Sequence, residues 1–392
     1  MGGRRRRSTR RCPGVLRVVS CRHPATFDAQ FDRGIRPRAI RLRRWQRVLG
    51  RSKAQVECFP AYLPSRPDDR AEARRCEREA RRRGTLIDRS SSVRPKLSAS
   101  GPGRGMAPPP TQGMVPVPDG NIYFERAGQG PAIVLIHSAF LDLREWDPQF
   151  AAYAAHHTVV RYDVRGCGRS VGDRTNSSDS EDLEAVLNHL NLVEVFVLGN
   201  SDGARIACEF AAGLPDRIQG LILVAGNPHD LEPTPEEEDR FINAGADRER
   251  RLLELAKAGR KAEAIEQILD IWAPKVPPAE RERLRAVTAD NYDHFIEFMS
   301  RDEPPGRRPG HPVASTLRAG RVPILSIAGA HDNPALNMMM SRFAAEVPSA
   351  HYVALSGGDH TPNLSAAQEF DRVVLDFMSR VEGDQGWPPG KR

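Results

Sequence analysis

The chemistry legible in this sequence begins at Gly199-Asn200-Ser201-Asp202-Gly203. A serine with glycine two residues away on either side fits the G-x-S-x-G turn, in which small neighbours permit a strained strand-to-helix bend that lifts the hydroxyl clear of the backbone. Serine attacks an acyl carbon only if a base takes its proton. A histidine serves as that base only if a carboxylate fixes its tautomer and stabilises the imidazolium. Both partners are expected after later strands, in the chain order serine, acid, histidine. His360 follows the apolar run His351 to Leu355 through Ser356-Gly357-Gly358, whose glycines let the chain turn the imidazole back toward the serine. Asp332 ends Gly329-Ala330-His331-Asp332, after the run Val322 to Ala328. Ser201 is therefore the expected nucleophile, His360 the base and Asp332 the acid, with Asp230, after the run ending at Ala225, as a rival acid. His229, His311 and His331 do not follow the last strand and stay unassigned. A tetrahedral intermediate also needs N–H donors at its oxyanion. Two backbone sites are expected: Asp202, next to the nucleophile, and Ala139, in the loop His137-Ser138-Ala139-Phe140.

These residues need a frame to bring them together. Val115 to Pro118 and Asn121 to Arg126 read as a hairpin around Asp119-Gly120, a strong turn dipeptide. Continuous apolar runs follow at Ala132 to His137, Thr158 to Tyr162, Val193 to Leu198, Ile218 to Ala225, Val322 to Ala328 and His351 to Leu355, the pattern of parallel strands buried on both faces. Helical spacing fills the gaps at Arg144 to Ala155, Ser180 to Leu190, Ala204 to Ala212, Ala335 to Glu346 and Ala366 to Val381. Alternating strand and helix predicts an α/β fold with a doubly wound, mostly parallel sheet. The interval 229–320 breaks the rhythm with helical stretches Glu236 to Ala258, Lys261 to Trp272 and Pro278 to Ser300, and is expected to be an inserted helical cap on a core of residues 106–228 and 321–392. Trp272, Phe295, Phe298 and Met299 are candidates to line an acyl pocket, but their helical spacing reads first as core of that cap, and they stay outside the expected site.

The chain has 392 residues and a formal charge of +7. Residues 1–105 alone hold 29 Lys and Arg against 9 Asp and Glu, a net of +20, so the remaining 287 residues carry −13. A nucleic-acid role is thereby excluded for the expected folded part. Segment 1–105, with arginine runs such as Arg4 to Arg7 and Arg81 to Arg83, lacks sustained periodicity and is expected to be a disordered extension. It fits a targeting peptide, a nucleic-acid-binding arm, or an upstream reading frame joined through a wrongly assigned start, the last being favoured. Four of the six cysteines lie there at spacings of no metal pattern, so neither a disulfide framework nor a metal site is expected. No run approaches the roughly 18 apolar residues of a membrane span, and no signal-type stretch opens the chain, so a cytoplasmic protein is expected.

Several stretches together resemble the cap-bearing α/β-hydrolases, and within them the 3-oxoadipate enol-lactonase-like enzymes, over roughly residues 114–382. They are His137-Ser138-Ala139, then Trp146-Asp147-Pro148-Gln149, then Arg161-Tyr162-Asp163-Val164-Arg165-Gly166-Cys167-Gly168-Arg169-Ser170. The resemblance implies that Asp163 and Arg165 shape a turn and that Trp146 packs in a helix. Two positions depart from the family pattern: Ser138 replaces a glycine, and Asp202 replaces an apolar or amide residue. An inward-pointing Asp202 carboxylate would repel an oxyanion, so it is expected to point away or to pair with Arg205. A serine nucleophile argues against the dehalogenase and epoxide-hydrolase branches. The expected activity is that of a serine hydrolase cleaving a small carboxylic ester, lactone or thioester with water, needing no cofactor. A C–C bond hydrolase, a cofactor-free haloperoxidase and a non-catalytic ligand receptor on the same fold remain open.

Overall fold

The computed structural model describes residues 109–174, 177–301, 309–383 and 387, and the expectations for segment 1–105 lie outside them. Strands β1 (Thr111–Val117) and β2 (Gly120–Ala127) form the antiparallel hairpin, turning at Asp119 with φ 56°. There follow β3 (Ala132–Ile136), α1 (Asp147–Tyr153), β4 (Thr158–Tyr162), the two-residue β5 (Val171–Gly172), α2 (Asp179–His189), β6 (Val195–Asn200), α3 (Asp202–Gly213) and β7 (Ile218–Val224). Helices α4 (Pro235–Lys257), α5 (Lys261–Trp272), α6 (Pro278–Ser300) and α7 (Val313–Ala319) intervene before β8 (Ile324–Gly329). The chain then runs through α8 (Pro334–Glu346), β9 (Ala350–Leu355), the short α9 (Pro362–Ser365) and α10 (Ala367–Glu382).

The sheet order is β1-β2-β4-β3-β6-β7-β8-β9, with β5 paired to β2. From β4 across to β9 every pairing is parallel, while the hairpin side is antiparallel. Alternate residues of each strand face opposite ways, so both faces must be covered. Val134, Ile136, Val197, Leu221 and Ile324 pack with Leu183, Phe210 and Phe343 from α2, α3 and α8. Their neighbours Ile133, Leu135, Phe196, Leu198 and Ile222 pack with Phe150 and Tyr153 of α1 and with Phe370 and Phe377 of α10. A third cluster joins Ala139, Phe140 and Leu141 to α4, α5 and α6.

The expected strands all form, and β6 starts two residues late because Val193 is 76% exposed. Helix α7 was not anticipated. Its first amides, Val313 and Ala314, each donate to the Asp230 carboxylate at 2.9 Å. Asp230 is thus an N-terminal anchor for α7, where a negative charge answers unpaired N–H groups, and the carboxylate bonded to His360 is that of Asp332.

Gly203, at the start of α3, lies against β3: a Cβ there would stand 2.3 Å from the Ile136 carbonyl oxygen. Backbone cannot yield as a side-chain tip can. Gly203→Ala is expected to destabilise the fold by about 1–3 kcal/mol, read as a lower urea midpoint with unchanged slope.

Candidate active site

Strand β6 stands between β3 and β7, and Ser201 follows it directly. Its backbone adopts φ 57° and ψ −111°, outside the regions open to most residues. The Ser201 N–H donates to the Val224 carbonyl at 2.8 Å, and the Ser201 carbonyl accepts from Ala204 N at 3.0 Å. A Cβ on Gly199 would lie 2.1 Å from the Gly203 carbonyl oxygen, so the turn closes only with glycine there.

Asp332 and His360 emerge from the ends of the next strands but one and two. His360 Nδ1 and Asp332 Oδ2 are 2.8 Å apart, with 8% and 5% of the two side chains exposed. Burial alone would lower the imidazole pKa, but the charge and hydrogen bond of Asp332, with smaller contributions from Asp359 and Glu145, raise it above its ordinary value. Asp359, next to His360, is wholly buried and accepts from Thr361 N at 2.9 Å and Ser365 Oγ at 2.8 Å. Its other oxygen accepts from Lys275 N at 2.7 Å, tying the α5–α6 connection to the histidine loop.

The Asp202 carboxylate is paired with Arg205, one of the two arrangements expected for it, and with Arg174 as well. Its Oδ1 accepts from Arg205 Nε at 2.6 Å and its Oδ2 from Arg174 Nη2 at 2.8 Å. Arg174 also clasps Asp179 with two nitrogens, and Arg205 reaches both Asp179 and Glu209. Burial would raise the Asp202 carboxyl, but the two guanidinium charges outweigh it and hold the pKa well below the carboxylate range. The same balance puts Asp179 at about 2. Neither the Ala139 nor the Asp202 N–H finds a partner among the described residues.

Ser201, Asp332, His360, Ala139 and Asp202 all line one cavity of about 450 Å³. Phe140, Ile271, Trp272, Phe295, Phe298 and Met299 line it as well. Trp272, Phe295, Phe298 and Met299 thus line the cavity and also pack in the third cluster, so both readings of these residues hold. Trp272 meets Phe295 edge-on at 5.3 Å, and Phe140 stacks on Trp272 at 5.9 Å. No His, Cys, Asp or Glu cluster able to hold a metal occurs among the described residues, and none of their helices is long and apolar enough to cross a membrane.

Residues 131–367 match the family model described as the alpha/beta hydrolase fold. The chain belongs to the α/β-hydrolase family. It is 25% identical over 281 residues to a putative carbamate hydrolase, RutD, of Azorhizobium caulinodans, covering 67% of this chain and 97% of that protein. A zearalenone hydrolase of Cladophialophora bantiana is 28% identical over 280 residues, covering 69% and 98%. The solved enol-lactonase of Burkholderia xenovorans LB400 is similar at a TM-score of 0.51 and 23% identity, covering 66% of this chain and 97% of its own. That last likeness speaks for the fold.

In this α/β hydrolase, as expected, Trp146 is fully buried, and Asp163 accepts from the Leu143 and Arg169 amides at 2.9 and 2.8 Å. Arg165 is clamped to Asp182 by two bonds. Sequence reasoning missed Glu145, Arg174, Asp179 and Asp359. The one usable signal was position: Asp359 abuts His360, and Glu145 abuts the buried Trp146.

Because Asp202 and Asp179 titrate below their ordinary value near about 3.9, the stability they add is present above that pH. It is lost as pH falls through their folded-state values, about 2 for Asp179. Asp202→Asn leaves two buried guanidiniums short of an anion and is expected to destabilise by about 3–5 kcal/mol at neutral pH. Urea unfolding as a function of pH should show a shallower acid limb in this variant than in the parent.

Proposed function

We propose that this α/β hydrolase is a serine hydrolase that transfers the acyl group of a small carboxylic ester, lactone or thioester to water. The observation that carries the reading is the buried Asp332–His360 hydrogen bond, opening into the same cavity as the strained Ser201. In the first half-reaction Ser201 Oγ attacks the acyl carbon while His360 Nε2 takes its proton. Nδ1–H stays bonded to Asp332, which holds the tautomer and stabilises the imidazolium. The oxyanion forms between the Ala139 and Asp202 N–H groups, which are otherwise unpartnered, each worth roughly 3 kcal/mol of barrier. His360 then gives its proton to the leaving oxygen or sulfur. In the second half-reaction water attacks the acyl-enzyme by the same route in reverse.

Asp202 fits this reading because two arginines draw its charge away from the oxyanion while its amide remains in place. Helices α4 to α7 act in this proposal as the cap, supplying the aromatic wall against which an apolar acyl group packs. The named hydrolase relatives, one acting on a carbamate in name and one on zearalenone, support the choice of acyl transfer to water.

With p-nitrophenyl butyrate and the full chain, Ser201→Ala is expected to cut kcat by about 10³-fold or more while circular dichroism is unchanged. Labelling by a fluorophosphonate should vanish with it, and equal turnover in parent and variant would remove Ser201 from the mechanism. A base is needed in its neutral form, so the raised His360 pKa places the acid limb of kcat/KM above the ordinary histidine value of about 6.5. Asp332→Asn removes the charge that raises it. The limb should move to lower pH while kcat falls by up to about 10⁴-fold, as measured in a pH–rate profile of both proteins.

A further inference from the structure

Glu145 lies in the turn Leu143–Trp146 that leads into α1, and its side chain is completely buried. An ionised carboxylate in such a place costs several kcal/mol in solvation unless donors replace the water. Three do. Oε2 accepts from the Ser138 N–H at 2.7 Å and from Ser138 Oγ at 3.0 Å, and Oε1 accepts from Asn200 Nδ2 at 2.6 Å. The Ser138 main-chain N–H can only donate and Asn200 presents its NH₂, so both meet Glu145 as an acceptor, while burial raises the Glu145 pKa against the lowering effect of these bonds.

What these partners are gives the contact its meaning. Ser138 is the residue before Ala139, and Asn200 is the residue before Ser201. They end two neighbouring parallel strands, with Ile136 of β3 beside Gly199 of β6. Beyond these strand ends no ladder bond joins the two loops, so Glu145 is a bridge across them. Packing alone would be served as well by an apolar residue of the same size, which would avoid the desolvation.

We propose that Glu145 is a positioning residue of the acyl-transfer site, clamping the Ala139 loop to the Ser201 turn so that the Ala139 and Asp202 amides converge on one oxyanion. The inference rests on the serine-hydrolase reading above. Misplacing one of the donors removes stabilisation that exists only in the transition state, so the loss falls on kcat and not on KM. The charge of Glu145 also acts at a distance on His360, adding to those of Asp332 and Asp359 in raising the imidazole pKa.

The test is Glu145→Gln in the full chain, assayed with p-nitrophenyl butyrate and inhibited by an alkyl trifluoromethyl ketone, whose hemiketal oxygen mimics the oxyanion. The glutamine NH₂ would confront donors where an oxygen now accepts. The expected result is a loss in kcat of about 10²-fold, a KM within about threefold, and inhibitor binding weakened by the same factor as kcat/KM. The acid limb of the pH profile should also move to lower pH, since a negative charge acting on the imidazole is gone. Glu145→Asp, which keeps the charge but draws it back, should restore the limb but not the inhibitor affinity. Unchanged kcat and inhibitor affinity with a lowered melting temperature would overturn the proposal and leave Glu145 a structural residue. If Glu145→Gln does not fold, Asn200→Ala severs one of the three bonds and should lower kcat about tenfold at constant KM; no change there overturns it equally. A parent enzyme without Ser201-dependent turnover overturns the hydrolase reading and this inference together, whereas an active parent with an indifferent Glu145→Gln overturns this inference alone.

Discussion

Ser201 sits at φ 57° and ψ −111°, a conformation that costs a residue with a side chain on the order of 1–3 kcal/mol, and the surrounding architecture is arranged so that this cost can be borne. The strand leading into it is buried along its whole length, from Val195 to Asn200. Burying its Val, Phe and Leu side chains contributes about 1.5–3 kcal/mol each, which outweighs the strain several times over. The chain on either side of the serine then has little freedom. Gly199 and Gly203 approach within a distance that excludes any Cβ, and Gly226 on the neighbouring strand end lies under the Ser201 carbonyl. The central position of β6 in the sheet is a consequence as much as a cause, since only an inner strand has neighbours on both sides to hold such a turn.

The same turn explains the density of buried charge next to it. A carboxylate at Asp202, on the residue whose amide would meet the oxyanion, is compatible with the proposed chemistry only if its field is cancelled. Arg174 and Arg205 do so, and each is in turn shared with Asp179, while Glu209 takes the remaining nitrogen of Arg205. The network spans the loop before α2, the first turn of α2 and two turns of α3. It therefore fixes these elements to each other as well as neutralising one residue.

The fold was readable from the sequence because its signals are local. Apolar runs of five to seven residues such as Ile218–Val224 announce themselves without knowledge of their partners, and the strand-to-helix turn at Ser201 is contained in about a dozen residues. The positions of Asp332 and His360 beyond later strands followed from chain order. What escaped the sequence depends on distant pairs. Glu145 acquires its surroundings from Ser138 and from Asn200, 55 residues on; Arg174 acquires its own from Asp202, 28 residues on. Asp230 looked like a candidate acid because it follows a strand, and only the arrival of α7 on its carboxylate, 83 residues later, assigns it. Trp272, Phe295 and Phe298 have the spacing of helix core, and that spacing is the same whether the facing surface is protein or a cavity.

Phe140 follows Ala139 directly and is held between Trp272 and Phe295, which come from two helices of the inserted segment. The aromatic wall that an acyl group would touch and the loop that would receive its oxyanion are therefore one mechanical unit. On the proposed function, a ligand that pushed Trp272 aside would strain the loop with it, so the wall would sense shape and the loop would report it as rate. In evolutionary terms, and on that same reading, a change of acyl preference made by resizing those rings would not be independent of turnover. Divergence of substrate range in this chain would have to proceed either through paired changes at Phe140 and its aromatic partners, or through the parts of the cavity wall, such as Phe241 and Leu336, that lie outside this cluster.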